Sequence, residues 1–204
     1  MRRLLYGTGN PAKLRAMRDW LSALPILVDG LDDSAPPVPE DGKSVLENAR
    51  IKAKAYFQAY KRPVFSCDSG LLLSCVPEDK NPGIHARRPA GTPLSDEEML
   101  TYYAGLVREY GRDGYLPARY QNTICLILED GSYLEYDGED ICSGTFLLAD
   151  KPHSIRTPGW PLDSLAVSAH TGEYWFDMTP EARTKSHRDI RPGFVQFFRQ
   201  ALKL

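Results

Sequence analysis

The stretch Leu4-Leu5-Tyr6-Gly7-Thr8-Gly9-Asn10-Pro11-Ala12-Lys13 restricts the fold more than any other part of the chain. A short apolar run ends in two glycines and an Asn-Pro step. Beyond it Leu14, Met17, Leu21 and Leu24 recur at helical spacing. Asn10 suits an N-cap, and Pro11 suits the first helical position, where a missing N–H costs nothing. Strand, tight loop, helix is the predicted order. Free backbone N–H groups and the helix dipole then converge on one spot and favour an anion there, with Lys13 adding a full positive charge. The loop matches neither G-x-G-x-x-G nor G-x-x-x-x-G-K-[ST], so a βα connection that binds nothing stays open on shape alone.

The rest of the composition excludes several classes. A length of 204 residues suits one α/β domain with a real core, and 42% apolar residues is ordinary for a globular protein. A net charge of −2 leaves no basic footprint for nucleic acid. No apolar run is long enough to span a bilayer, and the N-terminus reads as a strand rather than a signal peptide. Cys67, Cys75, Cys125 and Cys142 form no C-x-x-C pair, and three of them fall in strand-like runs, as reduced core thiols of a cytoplasmic protein do. The histidines fall at no metal-ligand spacing.

Along the chain, Ile26–Val28 reads as a second strand, followed by an acidic, proline-rich loop from Asp32 to Gly42 that could carry a carboxylate to a site. Ser44 with Glu47 forms a capping-box pattern opening a long helix, its buried stripe carried by Leu46, Ala49, Ala53 and Tyr56/Phe57. Asn48 and Lys52, four apart, share another face, either solvated or lining a cleft. Pro63–Cys67 reads as a strand that stops at Asp68-Ser69-Gly70, placing an acid where ligands bind in open α/β sheets; a turn-capping role for Asp68 is the alternative. Leu71–Leu73 continues as a buried strand, and a basic loop runs from Asn81 to Gly91. Ser95 caps a further helix. Two long strands, about Arg119–Leu128 and Ser132–Phe146, flank the turn Glu129-Asp130-Gly131. Thr179 caps a short helix, and Phe194, Phe197, Phe198 and Leu202 carry a final one.

Taken in order, these pieces resemble the inosine-triphosphate pyrophosphatase family. Thr8-Gly9-Asn10 with Lys13 matches its T-G-N-x-x-K. Glu40-x-Gly42, then Glu47-Asn48-Ala49 and Lys52, match E-x-G…E-N-A…K. Asp68-Ser69-Gly70-Leu71 matches the second half of D-D-S-G-L. Pro82-Gly83 through Arg88 and Gly91 resembles P-G-x-x-x-x-R-x-x-G, and Ser186-His187-Arg188 matches the terminal S-H-R. Three positions depart. Cys67 replaces the first aspartate of the pair. Gly159-Trp160-Pro161-Leu162-Asp163 stands for G-F-G-Y-D, and the lysine before S-H-R is matched by Arg183 with a one-residue deletion, or by Lys185.

The resemblance implies an α/β fold, a long mixed twisted sheet with flanking helices and two lobes around a central cleft, as one domain over residues 1–204. It implies Mg²⁺-dependent hydrolysis of ITP, dITP or XTP to monophosphate and pyrophosphate by a homodimer. Glu40 and Asp68 would be the metal carboxylates, and Asp68 also the catalytic base. Thr8, Asn10, Lys13, Lys52 and Ser69 would hold phosphates, while Trp160, Asp163, Arg183, His187 and Arg188 would read the base. The rivals are the same reaction on a pyrimidine or modified nucleotide, and a nucleotide-binding relative without turnover, motivated by Cys67.

Overall fold

Asn10 sets the first turn of the first helix. Its side-chain oxygen accepts the N–H groups of Ala12 (2.8 Å) and Lys13 (3.3 Å), two of the donors that a helix start leaves without partners. With Pro11 in the first position, α1 (Pro11–Trp20) follows β1 (Arg2–Tyr6), as the sequence predicts. The computed structural model describes residues 1–89, 91–186 and 188–204 and, at 184 and 185, the backbone alone. β2 (Ile26–Asp29) lies parallel to β1, and α2 (Val45–Tyr60) leads into β3 (Val64–Leu73), also parallel to β1. Ser44 accepts the N–H of Glu47 at 3.1 Å, but the Glu47 carboxylate returns to Lys43 N–H at 2.8 Å. The complete reciprocal box is instead Ser95–Glu98, at the start of α3 (Asp96–Tyr110). On α2 the buried stripe is Val45, Asn48, Ala49, Ala53 and Tyr56, with Leu46 only half-buried.

Two strand expectations are corrected. β3 does not stop at Asp68: it runs unbroken for 10 residues through Asp68-Ser69-Gly70, and Leu72 within it is exposed. The expected long strand Ser132–Phe146 is broken into β5 (Tyr133–Tyr136) and β6 (Phe146–Ala149) by a 3-10 turn over Glu139–Ile141. The break lets both pieces pair with β4 (Tyr115–Ile127). β5 takes Ile124–Ile127 and β6 takes Tyr115–Ala118, both antiparallel. Cys142 therefore lies outside any strand, although it is buried; all four cysteines are free thiols, and Cys75 is exposed.

The strand order is β2-β1-β3-β4-β6-β7, with β5 on β4 and β7 (Ala166–Val167) on β6. Parallel pairs at one end and antiparallel pairs at the other make the sheet mixed. The chain forms two compact units: residues 1–69, 121–142 and 190–204, and residues 70–120 and 143–189. In the first, α1 and α5 (Arg191–Ala201) cover one sheet face around Leu4, Tyr6, Phe65, Ile124 and Phe198. α2 covers the other face, where Ala49 and Ala53 meet Cys125 and Ile127. In the second, α3 packs Met99, Leu100, Tyr103 and Val107 against Leu71, Leu116 and Leu148; this unit also carries α4 (Pro180–Ser186), capped by Thr179. No described helix is long and apolar enough to cross a membrane.

Candidate active site

Side chains alternate across a strand, and that alternation sorts the central residues of β3. Val64 packs with Leu5 and Tyr56 on the α2 side, whereas Phe65 and Cys67 join the α1/α5 core. Asp68 accordingly shares the α2 side with Val64 and Ser66. β1 ends at Tyr6, which lies opposite Phe65, so Asp68 projects beyond the carboxyl end of its neighbour although its own strand continues. The expectation of an acid past a strand end is met by β1, not by β3.

From α2, Lys52 reaches that acid. Its Nζ donates to Asp68 Oδ1 at 2.6 Å and to Glu40 Oε1 at 3.0 Å. The lysine and Asp68 side chains are only 12% and 10% exposed, and that of Glu40 is 37% exposed. Burial works against the ammonium charge, but Asp68 and Glu40 outweigh it and raise the Lys52 pKa. An ammonium held between two carboxylates stays charged.

Glu40 reaches this point because its loop is tied to α2. Gly42 N–H donates to Asn48 Oδ1 at 2.9 Å, one helical turn before Lys52. A β-carbon at Gly42 would lie 2.7 Å from that oxygen and 3.0 Å from the Asn48 backbone nitrogen, so only glycine fits. Asn48 is fully buried, and its Nδ2 has no hydrogen-bond partner among the described residues. The shared Asn48/Lys52 face is thus an interior one rather than a solvated one.

The remaining phosphate candidates lie in the same unit. Thr8 Oγ1 accepts Asn10 N–H at 3.2 Å, bracing the loop before α1. Lys13 is half-buried; burial and then the Lys52 charge lower its pKa, against the pull of Asp68 and Glu40. Ser69 is half-buried beside Asp68. Cys67 packs in the same apolar cluster as Tyr6; burial pushes its thiol up to about 12, so it is neutral at physiological pH. Tyr6 in turn stacks on Phe65 at 4.5 Å between ring centroids.

The base-reading candidates belong to the second unit, apart from His187, which lies outside the described residues. Trp160 is half-buried and accepts Asp163 N–H through its carbonyl at 3.2 Å, at the head of a 3-10 turn over Pro161–Ser164. Burial pushes the Asp163 carboxyl up to about 6, and the Arg183 charge opposes this only in part. Arg183 is committed elsewhere: its Nε donates to the Trp175 carbonyl at 3.0 Å, and its guanidinium lies 4.7 Å from the Trp175 ring centre. Arg188 is exposed. The sequence reading gives Tyr6 no role beyond its strand and does not name Trp175. Tyr6 becomes visible only through the β1–β3 register, and Trp175 only through the fold-back of α4.

A strand–loop–helix with a capped helix start, joined to a carboxylate–lysine–carboxylate centre on a mixed sheet, defines the class: an α/β protein whose polar centre is built on one sheet face. The Ham1 family sequence model matches residues 4–189. The chain belongs to the Ham1 family. It is 32% identical to a dITP/XTP pyrophosphatase of Geobacter sulfurreducens over 92% of each chain. It is 31% identical to one from Syntrophobacter fumaroxidans, over 91% of this chain and 76% of that one. Among solved structures, a HAM1 protein from Coxiella burnetii superposes with a TM-score of 0.74 at 21% identity, covering 100% of this chain and 99% of that one. A Staphylococcus aureus Ham1 protein gives 0.71 at 21%, covering 98% and 100%. At that identity the likeness is one of fold.

Proposed function

We propose that this protein is a metal-dependent pyrophosphatase that hydrolyses non-standard purine nucleoside triphosphates (ITP, dITP, XTP) to monophosphate and pyrophosphate. The observation that carries this reading is the Lys52 ammonium held between Glu40 and Asp68, in the unit that also holds the capped start of α1. Relatives named dITP/XTP pyrophosphatases, matched over most of the chain, support it.

The donor set fits Mg²⁺. Glu40 and Asp68 offer hard oxygens, and the ammonium between them marks where a cation is tolerated. Among the described residues no group of three or more His, Cys, Asp or Glu is placed to hold a metal, but Mg²⁺ needs only one or two carboxylates beside substrate phosphates and waters. When bound, the ion supplies charge neutralisation along the phosphate chain. Asp68 takes the proton of the water that attacks the α-phosphorus. Lys13, Lys52, Ser69 and the α1 start with Thr8 and Asn10 hold the phosphates in place.

Trp160 stacks on the base, and Asp163, Arg183, His187 and Arg188 read its edge; the family resemblance supports these roles. A 6-keto group satisfies cationic or N–H donors that the 6-amino group of adenine would leave facing a donor, and unpaired buried groups discriminate strongly. A homodimer working in the cytoplasm completes the proposal. The rival, binding without turnover, is motivated by Cys67; the presence of both Glu40 and Asp68 at the lysine centre supports turnover instead.

The test is a panel of nucleoside triphosphates with Mg²⁺, separating pyrophosphate from orthophosphate. ITP or XTP should release pyrophosphate, with little activity on ATP. Orthophosphate as the primary product would mean attack at the γ-phosphorus and would overturn the mechanism.

A further inference from the structure

Lys52 occupies the position that a cation shared by Glu40 and Asp68 must occupy. Its Nζ lies 3.0 Å from one carboxylate and 2.6 Å from the other. Three separate elements supply the three groups: the loop before α2, α2 itself, and β3. A metal ion touching both carboxylates would meet the ammonium at close range, where like charges repel strongly. The two cannot share the site.

We propose that Lys52 is a resident counter-cation, holding Glu40 and Asp68 together until a metal–nucleotide complex arrives and then transferring to the phosphate chain. The site therefore takes the preformed metal–triphosphate complex, not free metal followed by nucleotide. This inference rests on the reading of Glu40 and Asp68 as metal carboxylates.

The local charge count favours it. Lys13 and Lys52 stand against Glu40 and Asp68, so these four groups cancel, and each of the other three is felt by Lys13. Free divalent metal would bring two positive charges to a balanced cluster whose carboxylates are already engaged. A metal triphosphate brings a net negative charge and gives the displaced ammonium new oxygens to bind. Cys67, a neutral thiol where the family pattern has an aspartate, adds no negative charge that would draw in free metal. Lysine also suits the exchange mechanically. A compact ammonium on a flexible four-carbon stem can pivot between partners, whereas a guanidinium fork binds a carboxylate in fixed planar geometry. Lys13 has no ion pair with a carboxylate among the described residues, so it is a like-charged neighbour that does not occupy the site.

The experiment titrates Mn²⁺ into the full-length protein, following free Mn²⁺ by electron paramagnetic resonance, with and without the α,β-methylene analogue of ITP. Wild type should bind Mn²⁺ weakly alone and much more tightly with the analogue. Because occupancy by Lys52 reduces the binding-competent fraction, Lys52→Met should bind Mn²⁺ alone at least about tenfold more tightly, and the gain from the analogue should shrink. Lys52→Arg keeps a cation between the carboxylates and should stay weak. Lys13→Met removes a nearby charge without vacating the site and should gain far less than Lys52→Met. The exchange is overturned if Lys52→Met binds Mn²⁺ no more tightly than wild type, or if Lys13→Met gains as much. A separate arm tests the underlying reading: if neither Glu40→Gln nor Asp68→Asn weakens Mn²⁺ binding with the analogue present, the metal assignment itself falls, and the exchange with it.

Discussion

Cys67 and Asp68 are neighbours on β3, yet they belong to different worlds. Asp68 turns toward α2 and meets an ammonium at 2.6 Å. Cys67 turns toward α1 and α5, joins Tyr6, Phe65 and Phe198, and keeps its proton. A thiol rather than a carboxylate at residue 67 therefore concerns the apolar face of the sheet and leaves the polar face with Glu40 and Asp68. One face holds the fold together, and the other is built to hold charge.

The largest expected effect separates these faces on stability. Phe65→Ala removes a fully buried ring that stacks on Tyr6 and meets Phe198 edge-on at 4.8 Å. It should cost about 3–5 kcal/mol in urea unfolding and leave turnover per folded molecule unchanged; a stable variant with lost turnover would break the division.

Asp163 offers the contrasting carboxylate in the second unit, where the nearby arginine is engaged by Trp175. Its folded pKa of about 6 lies above the ordinary 3.8, so the fold disfavours its ionised form. The sign follows: between about pH 4 and pH 6 the native state keeps a proton that the unfolded state releases, and stability falls as pH rises. Asp163→Asn should escape this loss, gaining up to about 3 kcal/mol over wild type above pH 6 relative to pH 4. A pH-independent difference between the two proteins would remove burial as the cause.

Gly42→Ala places a methyl against Asn48 and should strain the loop that delivers Glu40, costing about 1–3 kcal/mol. The half-saturating Mg²⁺ concentration should rise with it; an unchanged metal requirement would show that this loop does not set the Glu40 position. The smallest effect belongs to Cys67→Ser. A hydroxyl is close in size to the thiol, so stability should change by only about 1 kcal/mol, with turnover unaltered. A tenfold fall in turnover would place residue 67 on the polar face after all.

Local chemistry was legible in the sequence, and pairing was not. Asn10 and Pro11 announce α1 because a cap and a fixed φ act within one turn. The length of β3 was hidden because Asp68-Ser69-Gly70 is turn-like in composition, yet neighbouring strands impose the extended form. The β5–β6 break is equally a pairing effect, since both pieces find room on the 13 residues of β4. At the site, Lys52, Glu40 and Asp68 were named from the motif. The burial of Asn48, the partnership of Cys67 with Tyr6 and the commitment of Arg183 to Trp175 depend on which faces meet, and spacing along the chain carries none of that.

The central claim is that the polar face of β3 does chemistry rather than only binding nucleotide. Asp68→Asn tests it most directly, because the amide keeps the size of the side chain and removes the carboxylate proposed as the base. Steady-state pyrophosphate release and calorimetric nucleotide affinity should be measured on the same preparations, with the best substrate of the panel and its α,β-methylene analogue. Turnover should fall by about two orders of magnitude or more, while affinity changes far less. A variant that turns over at a near wild-type rate would contradict the account and remove Asp68 from the mechanism.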